Sequence, residues 1–199
     1  MKKIALIAGG AIVLLVLMLI GFYNRLVSRS QQVDSQWAQV QNVYQRRSDL
    51  IPNLVQTVQG SANFEKSTLE AVTEARASVG KVTIDASKAP SRAATLQQYQ
   101  AAQGQLSNAL SHLLVVAEAY PDLKSSQNFR DLQAELEGTE NRISVERGRF
   151  NDAVRAYNIS VHSFPSGLVA SIFSFTDNPY FTAADTTATA PSVKFKFDK

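Results

Sequence analysis

Between Ile4 and Phe22 the chain runs through nineteen residues without a charge, IALIAGGAIVLLVLMLIGF. As a helix this run rises about 28 Å at ~1.5 Å per residue, close to the ~30 Å hydrocarbon core of a bilayer. It predicts a membrane anchor, and everything after Tyr23 must then fold beside lipid.

A cleaved signal peptide is the competing reading, with Lys2 and Lys3 as its basic head. The apolar run exceeds the about 7–15 residues of an ordinary signal core, and no A-x-A site follows it, so a retained anchor is favoured. Phe22 and Tyr23 suit an interfacial aromatic belt, and Arg25 and Arg29 can reach headgroups with their long side chains. Lys2 and Lys3 on one flank nearly balance Arg25 and Arg29 on the other. The basic head before a long apolar run is signal-anchor-like and favours the N-terminus inside, with the body outside. The chain has no cysteine, which removes lipid attachment at an N-terminal Cys and leaves the redox compartment open.

The residues beyond the run suffice for one domain with a real core. The chain carries 20 Lys+Arg and 17 Asp+Glu; residues 1–22 hold only Lys2 and Lys3 among these, leaving 18 against 17, or +1. A nearly neutral body argues against a nucleic-acid partner, which needs concentrated basic surface. Arg25, Arg29, Arg46 and Arg47 are a local basic group. They read as solvated helix positions, with contact to anionic lipid as the alternative.

Apolar residues recur at helical spacing from Asn24 onward: Leu26, Val33, Trp37, Val40 and Tyr44, then Leu50, Leu54 and Val58. Pro52 falls inside this pattern, and a kinked continuation is favoured over a new helix capped by Ser48 or Asp49. The pattern then runs through Leu69, Val72, Ala75 and Val79 to a stop at Gly80. Such a rod would reach about 80 Å from Asn24 at helical rise. Residues 81–91 read as a connection. A second helix spans Thr95 to Tyr120 with a three–four stripe of Leu96, Tyr99, Gln103, Leu106, Leu110, Leu113 and Ala117. A third begins near Ser125 or Ser126, where Phe129, Leu136, Ile143, Phe150 and Tyr157 fall seven apart. The alternate seam positions, Leu132, Thr139, Glu146 and Ala153, are mixed; they fit a hydrated layer, a pairing device or a partly exposed edge.

After Ser163-Phe164-Pro165, a short segment presents Phe164, Leu168, Ile172 and Phe175 as one apolar face. Docking of this face on the bundle is favoured, with lying on the bilayer or meeting a neighbouring subunit as the alternative. Residues 182–192 read as a flexible linker. Residues Val193 to Phe197 alternate apolar and basic, a strand pattern that could add to another chain's sheet edge or stay disordered. The expected fold is all-α: an anchor over residues 1–23, then a bundle of three long helices plus a short C-terminal helix over 24–181, then a tail over 182–199.

Catalytic patterns are missing. His112 and His162 are isolated, and the Glu-x-x-His pattern of di-iron bundles is absent. No zincin helix motif, phosphate-binding glycine loop or G-x-S-x-G turn occurs. Glu135, Glu137, Glu140 and Glu146 interleave with Arg142, Arg147 and Arg149, which reads as ion pairing on a helix surface. Asn158-Ile159-Ser160 matches a glycosylation sequon but lies within the third helix. No cofactor or metal is expected.

Three blocks carry a resemblance: Tyr23-Asn24-Arg25-Leu26-Val27; RRSDLIPNLV from Arg46 to Val55; and a stretch from AYPDLK (Ala119 to Lys124) through EGTENRI (Glu137 to Ile143) to Phe164-Pro165 and Tyr180-Phe181. Their order and spacing resemble the LemA family of bacterial membrane-anchored helical proteins, over roughly residues 20–181. The resemblance implies one transmembrane helix, an extended antiparallel bundle and no established enzymatic activity. It also implies an envelope setting, with one branch linked to magnetosome membranes. Arg46, Arg47, Asp49, Pro52, Asn53, Glu140, Asn141 and Arg142 match the motif positions and read as architectural: a charged cluster fixing the kink, plus a polar layer on the third helix. The expected function is a non-enzymatic scaffold in the bacterial cytoplasmic membrane, contacting lipid and self-associating. The alternative is an adaptor that docks an envelope protease or signalling protein through its bundle or tail.

Overall fold

A computed structural model describes residues 2–61, 64–82 and 84–182. The linker and strand pattern expected within 183–199 lie outside the described residues. Among the described residues the chain forms six helices: α1 (Lys2–Gln59), α2 (Lys66–Lys81), α3 (Ala93–Ala117), α4 (Pro121–Ser125), α5 (Gln127–His162) and α6 (Ser166–Ile172). The expectation of an all-α chain holds, with α1, α3 and α5 as the three long helices and α6 as the short C-terminal one.

The apolar run and the first body helix are one uninterrupted helix of 58 residues. Its outer part buries Leu26, Val33, Trp37, Val40, Tyr44, Arg47, Ile51, Leu54 and Val58, a three–four alternation after the first step. Leu50 is only half-buried; the seam passes through Arg47 to Ile51 instead. Apolar spacing does not reveal position 47, because a charge there does not look like a core residue.

The helix continues through Pro52. A proline leaves the carbonyl four residues earlier without its intrahelical donor, here Ser48. Arg76 of α2 supplies the substitute: its Nε donates to the Ser48 carbonyl at 3.2 Å and reaches Ser48 Oγ at 3.3 Å. That contact requires α2 to fold back along α1. The rod expected to run on to Gly80 therefore ends at Gln59, and from Asn24 it spans about 54 Å rather than 80 Å. The apolar spacing of Leu69 and Val72 is real, but it belongs to a returning helix.

Four segments then alternate in direction: α1 outward, α2 back, α3 outward and α5 back. The connection between α2 and α3 is tied to α1, where Trp37 Nε1 donates to the Asp85 carbonyl at 3.0 Å and Asp34 Oδ1 accepts from the Ala89 amide at 2.9 Å. Among the described residues, two apolar clusters fill the bundle. The one nearer the apolar run gathers Leu26 to Tyr44 of α1, Tyr99 of α3, Ile143 to Val161 of α5, and Phe181. The distal one gathers Ile51 to Val58, Leu69, Val72, Leu106 to Ala117, Phe129 and Leu136. The seven-residue series on α5 is buried throughout, as its period requires.

After α6 the chain doubles back along the α1–α5 groove. Asn158 and Asn151, seven apart on α5, each grip this segment with both amide atoms. Asn158 receives the Asn178 amide at 3.0 Å and donates to its carbonyl at 2.9 Å. Asn151 does the same for Phe181, at 2.9 and 3.0 Å. Phe181 then enters the core beside Trp37 and Phe150, with Arg147 over its ring.

In an Arg76→Ala variant, denaturant unfolding should show a loss of about 1 kcal/mol, the usual net contribution of one intramolecular hydrogen bond. The loss should shrink in a Pro52→Ala background, where Ser48 regains its helical donor. Equal losses in the two backgrounds would show that Arg76 does not act through the carbonyl.

Candidate functional site: a buried arginine and the end of the bundle beside the apolar run

Arg47 sits between the two apolar clusters with 1 % of its surface exposed. The expectation of a solvated position is thereby corrected: α3 and α5 close over this face of α1. Nη1 donates to Glu140 Oε1 at 2.6 Å and to Ser107 Oγ at 2.7 Å. Nη2 donates to the Gln103 carbonyl at 3.4 Å and to Gln103 Oε1. The guanidinium carbon lies 5.2 Å from the Tyr44 ring centre. One side chain thus joins α1, α3 and α5. Its Nε has no hydrogen-bond partner among the described residues.

The other motif residues divide around this centre. Arg46 points outward to Glu135 of α5 at 2.8 Å, an exposed pair that contributes little. Asp49 accepts from Gln45 at 2.7 Å on the surface. Asn53 offers its carbonyl to Thr57. Of Glu140, Asn141 and Arg142, Glu140 alone faces the centre; Asn141 and Arg142 are exposed. A helix turns about 100° per residue, so three consecutive residues cannot share one layer. The polar layer is built instead from Arg47, Gln103, Ser107, Glu140 and buried Thr139, whose hydroxyl donates to the Glu135 carbonyl. Gln103 was visible as a polar member of the α3 stripe. Ser107 carried no signal of its own.

Beside this layer lie two aromatic hydroxyls with shifted acidity. Burial pushes Tyr99 up to about 12 from 10.0, while its hydroxyl donates to Gln41 Oε1 at 3.1 Å. Burial also raises Tyr44, against the nearby cations Arg147 and Arg47. In both cases the cause is loss of water around the phenolate, so the neutral form is held.

At the other end of the bundle, the apolar run meets the C-terminal segment. The described side chains over residues 2–20 are exposed within the chain, and α1 is long and apolar enough to cross a membrane. Phe22 is half-buried against the nearer cluster. Tyr23 packs on Phe173, with ring centres 4.8 Å apart, and on Phe175 at 5.9 Å. Its partners are therefore aromatic rings of the same chain. Arg25 is exposed, and Arg29 donates to Gln32 at 3.2 Å. His162 lies 2.9 Å from Asp177, both exposed, and the neighbouring Ser163 hydroxyl donates to the Ile159 carbonyl. Among the described residues, no group of three or more His, Asp or Glu side chains is placed to hold a metal.

These features define a class: a helical bundle carried on a helix compatible with a single-pass membrane anchor, organised around a buried arginine. The LemA family profile matches residues 36–195, and the chain belongs to the LemA family. Among curated relatives, the magnetosome protein MamQ of Magnetospirillum gryphiswaldense is 24% identical over 193 residues, covering 86% of this chain and 70% of that protein. The magnetosome protein MamQ 2 of Paramagnetospirillum magneticum is 26% identical with the same coverage. The LemA protein of Metamycoplasma hominis is 22% identical over 166 residues, covering 83% and 71%. Family and relatives fit a membrane-associated protein.

Glu140→Ala should destabilise the bundle more than Arg47→Met. The first leaves a buried cation short of its counter-charge, at a cost of about 3 kcal/mol; the low end applies because Glu140 is 39% exposed. The second removes the buried charge and leaves a carboxylate that water can reach. Unfolding midpoints in the reverse order would contradict this account of the junction.

Tyr99 adds a pH dependence. Its pKa is higher folded than unfolded, so its contribution to stability is complete below pH 10.0 and is lost as pH rises towards about 12. Thermal melts across that range should fall less steeply for Tyr99→Phe.

Proposed function

We propose that this LemA-family protein is a non-enzymatic scaffold, anchored by residues 4–22 in the bacterial cytoplasmic membrane with its body on the outer side. It self-associates and organises the membrane around it. The observation that carries this reading is the continuity of α1: one 58-residue helix forms both the apolar run and the spine of the bundle. A hinge between anchor and body would decouple them. A continuous helix transmits the orientation and rotation of one to the other, which favours repeated lateral contact between copies. The apolar part is uncovered within the chain, and a Cβ added at Gly9 or Gly10 would meet nothing within 4 Å. Small residues of this kind let helices approach closely in lipid. The body offers Val145 and Ile159 as exposed apolar positions on α5.

The lack of cysteine makes the test direct. The full chain in detergent should have a protein mass above the 21.8 kDa of one copy. Single cysteines replacing Val145 or Ile159 should form oxidative crosslinks in intact membranes. A strict monomer in detergent, together with no crosslink at either position, would rule out self-association.

A further inference from the structure

The surface of α6 and its flanks breaks the pattern of the rest of the body. From Ser163 to Thr176 the sequence contains no charged residue. Within it, Phe164 is 84% exposed, Leu168 60%, Ile172 69% and Phe173 55%. The face that the sequence pattern picked out is therefore turned outward; Ser166, Val169 and Ala170 cover the bundle instead. Phe175 leaves the expected face and packs against the nearer cluster, because Ser174 adopts a left-handed φ of 58° and turns the chain inward. Exposed large apolar residues elsewhere on the body, such as Val115 and Val145, do not form such a run.

The patch is rigidly held. Ser166 Oγ donates to the Ser160 carbonyl at 2.7 Å and the Ser163 carbonyl at 3.0 Å. A Cβ on Gly167 would stand 3.0 Å from the Val161 carbonyl oxygen, so glycine permits the close seat of α6 on the end of α5. The patch is also placed at one height. Phe173 and Phe175 contact Tyr23, the residue that follows the apolar run. With residues 4–22 filling the ~30 Å hydrocarbon core, that height is the headgroup boundary.

We propose that Phe164, Leu168, Ile172 and Phe173 insert into the lipid leaflet on the body side, giving the protein a second membrane contact beside its spanning helix. The occupant is a lipid monolayer, argued from the patch's continuity with the apolar run, its lack of charge and its level at Phe22 and Tyr23. An interfacial helix usually carries a basic polar face; here the bundle takes the place of that face. Insertion is accordingly driven by apolar area, and zwitterionic lipid suffices. Two contacts fix the tilt of α1, where a lone spanning helix leaves it free. The inference rests on the reading of residues 4–22 as the span.

The test uses the full chain in phosphatidylcholine vesicles with single cysteines carrying an environment-sensitive fluorophore. Leu168→Cys and Ile172→Cys probe the patch, Leu14→Cys the span, and Val115→Cys the distal end of α3. Labels at 168 and 172 should be quenched by doxyl-labelled lipid at a depth of about 5–10 Å below the headgroups, and shielded from aqueous iodide. Quenching at 14 but at neither 168 nor 172, with iodide acting there as at 115, overturns the lipid contact and leaves the span standing. Shielding of 168 and 172 from both quenchers means that protein covers the patch, and overturns it equally. Absence of lipid quenching at 14 removes the span itself, and the inference with it.

Discussion

A guanidinium almost wholly removed from water must find acceptors, and Arg47 finds them on two helices besides its own. Desolvating a cation costs several kcal/mol, so a conformation that leaves it unpaired is strongly disfavoured. The apolar seams on either side lack such selectivity. Their three–four repeats would pack nearly as well after a slip of one heptad. Arg47 would not: a slipped α3 would present Leu96 or Leu110, and a slipped α5 would present Gln133 or Arg147. Burial of Leu, Val and Phe drives α1, α3 and α5 together, and the arginine selects the register in which they meet.

The rest of the molecule follows from that register. With α1 and α5 antiparallel and Arg47 paired to Glu140, the end of α5 returns beside the start of the buried seam on α1, where Leu26, Val161, Val169 and Ala170 share one cluster. The returning segment then reaches Asn158 and Asn151, and Phe181 closes the core against Trp37 and Phe150. At the far end, Pro52 opens a carbonyl that Arg76 fills, which joins α2 to the same frame. Neither proline nor arginine is explained by its own helix; each makes sense only with its partner.

The readable and unreadable parts divide along physical lines. The α3 stripe and the seven-residue series on α5 are buried as their spacing requires, because helix geometry places such residues on one face whatever they pack against. The reversal near Gly60 leaves no mark in the spacing. Apolar spacing persists from α1 into α2, and periodicity reports a face but not a direction. Position 47 is hard to read for a related reason: a charge on a seam looks like a break until its acceptors are known. The segment after α6 shows no periodicity, since its order comes from asparagine side chains on α5.

What the sequence determined by itself is the apolar run, the all-α class, the helical faces, the family blocks and the absence of recognisable catalytic patterns. Those depend on local spacing and composition, which a chain carries before it folds. The tertiary structure alone decided that α1 ends at Gln59, that Arg47 is buried against Gln103, Ser107 and Glu140, and that the apolar face of α6 turns outward. Each of these joins residues distant in sequence, or chooses between two apolar faces of one short helix. Such choices are made by whichever arrangement pairs most of the buried polar groups while still covering the apolar faces.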